Sequence, residues 1–135
     1  MTLSPITLAL VASGGAIGSL LRFMLISYLS HHGLLIGSRF PFGTFAVNLI
    51  GSLMMGLVVG LLLKHQALLQ GWHHLLFAFL AIGVLGGLTT FSSFAFDLVN
   101  LLQKGDHWLG VLYMLFSVIF SVFGLAAGLS LTKLY

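Results

Sequence analysis

Hydroxyl and amide side chains recur inside long apolar runs, and one fixed positive charge stands among them. Thr44, Asn48 and Ser52 are spaced four apart, as are Tyr113, Ser117 and Ser121. Each set lines one face of a helix. Thr89, Thr90, Ser92 and Ser93 form a third polar group, and Arg22 supplies the positive charge. Such a set is rich in donors, and donors suit an anion. Phe91 and Phe94 share a face at i and i+3. An aromatic ring has a positive edge and a negative face. Ring edges can therefore touch a small anion, and ring faces favour a cation. Core packing is the plain reading of two phenylalanines at this spacing. The sequence has no nucleophile–base pair, no phosphate-cradling glycine loop and no metal-ligand cluster, so enzymatic turnover is not expected.

The surrounding composition says what must position these groups. The chain has 135 residues, 59% of them hydrophobic and 5% charged, which a soluble domain of this size does not sustain. The apolar runs predict an all-α membrane protein of one domain, with spans at about 3–29, 41–63, 72–102 and 108–131. The third run is longer than the roughly 20 residues one span needs. Its centre reads Gly83-Val-Leu-Gly-Gly-Leu-Thr-Thr-Phe-Ser-Ser-Phe94. Glycine and threonine are weak helix formers, so the third helix is expected to be broken near its midpoint. Broken backbone at that depth must be buried in protein or line a wet cavity. The break offers bare carbonyls near Gly86 and Thr89, which suit a hard cation such as Na⁺.

The remaining features have competing readings. Leu10-Val-Ala-Ser13 resembles a cleavage site, but no basic segment precedes it and the apolar pattern continues to Leu29. An uncleaved first span is expected. Gly14 and Gly18, and Gly124 and Gly128, are spaced for close helix packing. Arg22 either snorkels to an interface or has a role inside the membrane. Asn48 is either interhelical glue or a donor lining an ion or water path. His31 and His32 fall in a loop from Ser30 to Phe40 and read as solvated. Trp72 reads as an interfacial anchor. Asp97 reads as reaching the headgroup region.

Lys64 and Lys133 fall on one side of four such spans, and Arg39 and Lys104 on the other. The positive-inside rule therefore selects no orientation. A chain that inserts both ways can pair with its inverted copy as an antiparallel dimer.

Three motifs carry a family resemblance. Gly14-Gly-Ala-Ile-Gly-Ser-Leu-Leu-Arg22, Gly43-Thr-Phe-Ala-Val-Asn48 and Gly86-Gly-Leu-Thr-Thr-Phe-Ser-Ser-Phe94 resemble those of the Fluc (CrcB) fluoride channels, in the same order and across all four spans. The resemblance implies a dual-topology homodimer in the bacterial inner membrane, passively exporting fluoride through two antiparallel pores. It also implies a central Na⁺ that is not transported. Carried over by motif, Phe91 and Phe94 would line the pore, Asn48 would be the pore asparagine, and Arg22 would lie near the aqueous vestibule. The carbonyls of Gly86 and Thr89 would hold Na⁺. Tyr113, Ser117 and Ser121 would be the polar track of the fourth helix, and Ser93 stands where many members have threonine. Leu125 ends that track here.

Two other functions fit four apolar spans. A small proton-coupled multidrug exporter needs a membrane-embedded acid in its first span. This chain has no glutamate, and its two aspartates are Asp97 and Asp106. A non-conducting scaffold subunit would use the glycines for packing alone and leave Arg22 and Asn48 without a task.

Overall fold

The computed structural model of the chain describes residues 4–32, 39–65, 67, 69 and 71–133. Leu3 of the first expected span and residues 33–38 of the first loop lie outside the described residues. The described elements are helical: α1 (Pro5–His32), α2 (Phe42–Lys64), α3 (His73–Leu76), a π-helix (Phe77–Leu85), α4 (Gly86–Leu88), α5 (Phe91–Gln103) and α6 (His107–Lys133). Four stretches among them are long and apolar enough to cross a membrane: Pro5–His31, Phe42–Lys64, His73–Gln103 and His107–Thr132. This is a multi-pass membrane protein.

The helix ends follow local chemistry. Ser4 precedes Pro5, and its hydroxyl accepts the Thr7 N–H at 3.2 Å. A serine cap followed by a first-turn proline is a strong helix start. At the other end α1 continues to His32. The expected stop at Leu29 is therefore too early, and His31 and His32 stand on the last helical turn instead of in a loop. Nothing between Leu29 and His32 forbids helix, since Ser and His have only mildly unfavourable propensities. Helix α5 closes through Gly105 at φ 80°, with Gly105 N–H on the Leu102 carbonyl and Asp106 N–H on the Leu101 carbonyl. That pairing is a Schellman turn, and its positive φ is one that glycine adopts without strain. The turn is tied to the first loop by Arg39, whose Nη1 donates to Asp106 Oδ1 at 2.7 Å.

Glycines set the packing. α2 meets α6 where Gly56 faces Gly128, and a Cβ at either position would run into the other helix's backbone. α1 meets the third span in the same manner, with Gly14 and Gly18 against Gly83, Val84 and Leu88, and Gly15 against Gly87. Lipid tails supply no hydrophobic drive between helices, so close backbone approach is what holds them. Two small cores fill the remainder. Val47, Leu85 and Leu88 form one; Phe94, Leu101 and Tyr113 form the other. Many large apolar side chains face outward, Phe23, Trp72, Trp108 and Phe123 among them. Such a surface suits hydrocarbon and not water.

Gly86 was expected at the site of unwinding, but Gly86–Leu88 is helical. Thr89 (φ −75°, ψ 155°) and Thr90 (φ −152°, ψ 118°) are the extended residues, and helix resumes at Phe91. Packing against α1 outweighs the poor intrinsic propensity of Gly83 and Gly87.

Candidate functional site

Two polar clusters lie along the third span. The first surrounds Thr89 and Thr90. Asn48 on α2 pairs with both backbone groups of Thr90: Thr90 N–H donates to Oδ1 at 2.8 Å, and Nδ2 donates to the Thr90 carbonyl at 3.1 Å. Arg22 on α1 donates from Nη1 to the Thr89 carbonyl at 3.1 Å. Thr89 N–H continues the helical ladder to the Leu85 carbonyl at 3.1 Å, and its hydroxyl donates to the same carbonyl at 3.0 Å. An extended pair within an apolar span needs this complete accounting, because hydrocarbon offers no partner.

Thr90 also starts α5. Its Oγ1 accepts the Ser93 N–H at 3.1 Å and donates to Ser93 Oγ at 3.2 Å, and it shares a 3.1 Å hydrogen bond with Ser92 Oγ. Thr90 is therefore the N-cap of α5. The sequence reading grouped Thr90 with the donors and missed this role. A threonine three residues before a serine at the start of an apolar helix was the available signal. Thr90→Ala is expected to lower the stability of the purified protein by about 1 kcal/mol, the usual cost of a lost cap. Thermal unfolding followed by circular dichroism measures it, and Thr90→Ser is expected to restore the loss.

The geometry places two helix ends side by side. The first half of the span ends on carbonyls and carries partial negative charge. The second half begins on amides and carries partial positive charge. The first end suits a cation, the second an anion. Gly86 illustrates the first: its usual partner would be the Thr90 N–H, which Asn48 has taken. The Gly86 and Thr89 carbonyls are hard oxygens of the kind that hold Na⁺. Thr89 O already accepts from a cationic group, and a carbonyl has a second lone pair. The donor set therefore fits a small hard cation.

The second cluster follows the rings. Phe91 and Phe94 lie 5.4 Å apart between centroids, Phe94 and Tyr113 5.3 Å, and Tyr113 and Phe40 5.4 Å. Phe94 and Tyr113 are buried, whereas Phe91 is 78% exposed. The Tyr113 hydroxyl donates to Asp97 Oδ2 at 3.4 Å, with Thr44 and Ser117 beside it. Asp97 thus turns toward Tyr113; the sequence reading had sent it to the headgroups. Ser117 is buried, and its hydroxyl has no hydrogen-bond partner among the described residues. Ser121 is half-buried one turn further on.

Most of the expected residues thus gather in one of two places. Arg22, Asn48, Thr89, Ser92 and Ser93 meet at the extended pair. Thr44, Phe94, Tyr113 and Ser117 meet around the buried ring cluster, with Phe91 tilted at 44° to Phe94 at its outer end. Gly86 stands one helical turn before the extended pair with its Cα face open. The π-helix had no counterpart in the sequence reading. Helices of this type are rare and concentrate at functional sites.

Comparison with known proteins places these features in a family. The profile described as CrcB-like protein, Camphor Resistance (CrcB), matches residues 9–129. The chain is similar to a protein of Agrobacterium fabrum named fluoride-specific ion channel FluC, at 42% identity over 95% of this chain and 97% of that one. It is also similar to the fluoride-specific ion channel FluC 2 of Nitrobacter hamburgensis, at 40% identity over 92% of this chain and 94% of that one. A FluC of Hahella chejuensis is 37% identical over 94% of both chains. Full-length similarity of this kind, together with a profile covering nearly the whole chain, means that the chain belongs to the CrcB-like family of membrane proteins.

Proposed function

We propose that this chain forms a fluoride-selective passive ion channel, exporting cytoplasmic fluoride across a bacterial inner membrane. The working unit is an antiparallel, dual-topology homodimer with a structural Na⁺ at its centre that is not transported. One observation carries the reading: two half-helix ends meet at Thr89 and Thr90, and the ring of Phe91 projects from the amide end with 78% of its surface uncovered. A large ring left open beside polar backbone calls for a second surface, and an inverted copy would supply one. The nearly even basic residues on the two sides support insertion in both orientations. The choice of fluoride rests on the names of the relatives.

The mechanism is electrodiffusion. Fluoride sheds water against hydroxyl and amide donors and passes the positive edges of Phe91 and Phe94. The amide end of α5 and the hydroxyls of Ser92 and Ser93 stabilise it there. Ser117 and Ser121 continue the donor track past Tyr113, whose one hydroxyl proton is committed to Asp97, and the Ser117 hydroxyl, without a partner among the described residues, is free to take part. The carbonyl end of the first half of the span leaves the middle of the dimer suited to a cation. The Gly86 and Thr89 carbonyls would hold Na⁺, whose charge would offset the partial negative charge at the end of the first half of the span.

Liposomes holding the purified protein provide the test. Fluoride efflux is read with a fluoride electrode against a chloride control, and valinomycin releases the charge build-up. Fast fluoride efflux with little chloride efflux is expected. Absence of fluoride efflux from a folded dimer would refute the proposal.

A further inference from the structure

We infer that Arg22 stands in for the cation at the central site, satisfying the Thr89 carbonyl whenever Na⁺ is absent. The inference rests on the sodium reading given above. It starts from the four backbone groups of the extended pair. Thr89 N–H is held by Leu85, and both groups of Thr90 are held by the short, stiff side chain of Asn48. Thr89 O is the remaining group, and it is held by the guanidinium of a long side chain from a different helix. Three of the four anchors are thus local or rigid, and the fourth can withdraw.

The residue that carries this carbonyl is itself fixed. Thr89 Oγ1 is hydrogen-bonded to the Leu85 carbonyl, and the Thr89 methyl packs where Gly51 leaves room for it. The carbonyl therefore keeps its direction while its partner changes. In an apolar span it needs a donor or a cation at all times. A guanidinium meets that need without Na⁺. Once Na⁺ arrives, a unit positive charge on the same oxygen repels it, so the guanidinium must swing aside or weaken sodium binding. Arg22 thereby makes the ion-free site tolerable and lowers the apparent sodium affinity.

The test is sodium linkage, measured on the purified full-length protein. Thermal unfolding of wild type and Arg22→Gln is followed in sodium and in N-methyl-D-glucamine, a cation too large for the site. A ligand stabilises only the state that binds it, in proportion to its affinity. Sodium is expected to raise the unfolding temperature of Arg22→Gln more than that of wild type, with an apparent sodium affinity about tenfold tighter, the effect of one charge-assisted hydrogen bond. Equal sodium effects on the two proteins would overturn the inference.

Wild type alone gives a second reading. The chain has two arginines, Arg22 and Arg39. Arginine labelled with ¹⁵N therefore gives two guanidinium signals, and Arg39→Gln assigns them. Sodium is expected to shift the Arg22 signal and leave that of Arg39, which sits on Asp106, unchanged. An Arg22 signal that ignores sodium while sodium stabilises the protein would overturn the inference. No sodium effect on either protein would overturn it together with the sodium reading. Fluoride efflux would stand apart from that result.

Discussion

Asn48→Asp is expected to abolish fluoride flux and to destabilise the fold at the same time. The two effects have one origin. The Asn48 amide meets both the N–H and the carbonyl of Thr90. Aspartate keeps the acceptor for the N–H and turns an oxygen toward the carbonyl in place of a donor. The lost bond leaves a polar group unsatisfied, at about 1–3 kcal/mol. A carboxylate inside a span adds about 2.5–3.5 kcal/mol on insertion scales. The sum, on the order of 5 kcal/mol, is comparable with the whole stability of an ordinary domain. The negative charge would also stand in an anion path. Asn48→Ala separates these causes, because it removes the clamp without adding charge. Loss of both thermal stability and efflux in Asn48→Ala is expected. A variant that melts like wild type but does not conduct would make Asn48 a pore donor and nothing more. Undiminished flux through folded Asn48→Asp would remove Asn48 from the path altogether.

The sequence made the spans legible and left their meetings dark. Apolar runs report length directly, so α2 and α6 fall within a residue or two of their expected bounds. Asn48 shows the limit. Its place on one face with Thr44 follows from spacing, but its partner Thr90 is 42 positions away, and spacing says nothing about which helix lies opposite. The glycines of the third span were misread for a related reason. Intrinsic propensity argues for unwinding at Gly83, Gly86 and Gly87, whereas the contacts of Gly83 and Gly87 with Gly14 and Gly15 hold them in helix. The two threonines mark the true change of backbone. Threonine is a poor helix former and a good cap, and Thr90 uses the second property. The π-helix had no legible sign, since shifting hydrogen bonds from i+4 to i+5 leaves the apolar composition unchanged. Tyr113 and Asp97 were each noticed, but their pairing depends on how α5 lies against α6.

Gly128→Leu is expected to prevent the protein from folding, and Gly86→Ala to leave the fold of the chain intact. At Gly128 an added Cβ would collide with the Leu53 carbonyl and lie 2.7 Å from the Leu57 nitrogen and 3.0 Å from Gly56 carbon. All three are backbone atoms of α2, which cannot rotate away as a side chain would. Overpacking costs about 1–3 kcal/mol where side chains can yield, and more where they cannot. The contact between α2 and α6 is also extensive, and bilayer lipid offers no hydrophobic force to restore it. Gly86 differs. The nearest atom to an added Cβ is the Ala81 carbonyl oxygen at 3.6 Å, an ordinary contact, and alanine favours helix over glycine by about 1 kcal/mol. Size-exclusion profiles and circular dichroism of the two variants measure the contrast. A Gly128→Leu protein with wild-type melting would show that α2 and α6 do not approach backbone to backbone. If Gly86→Ala folds yet lacks a dimer or a sodium dependence that the wild type displays, the open face of Gly86 must be where a second copy or the cation sits, because nothing in its own chain is near enough to object.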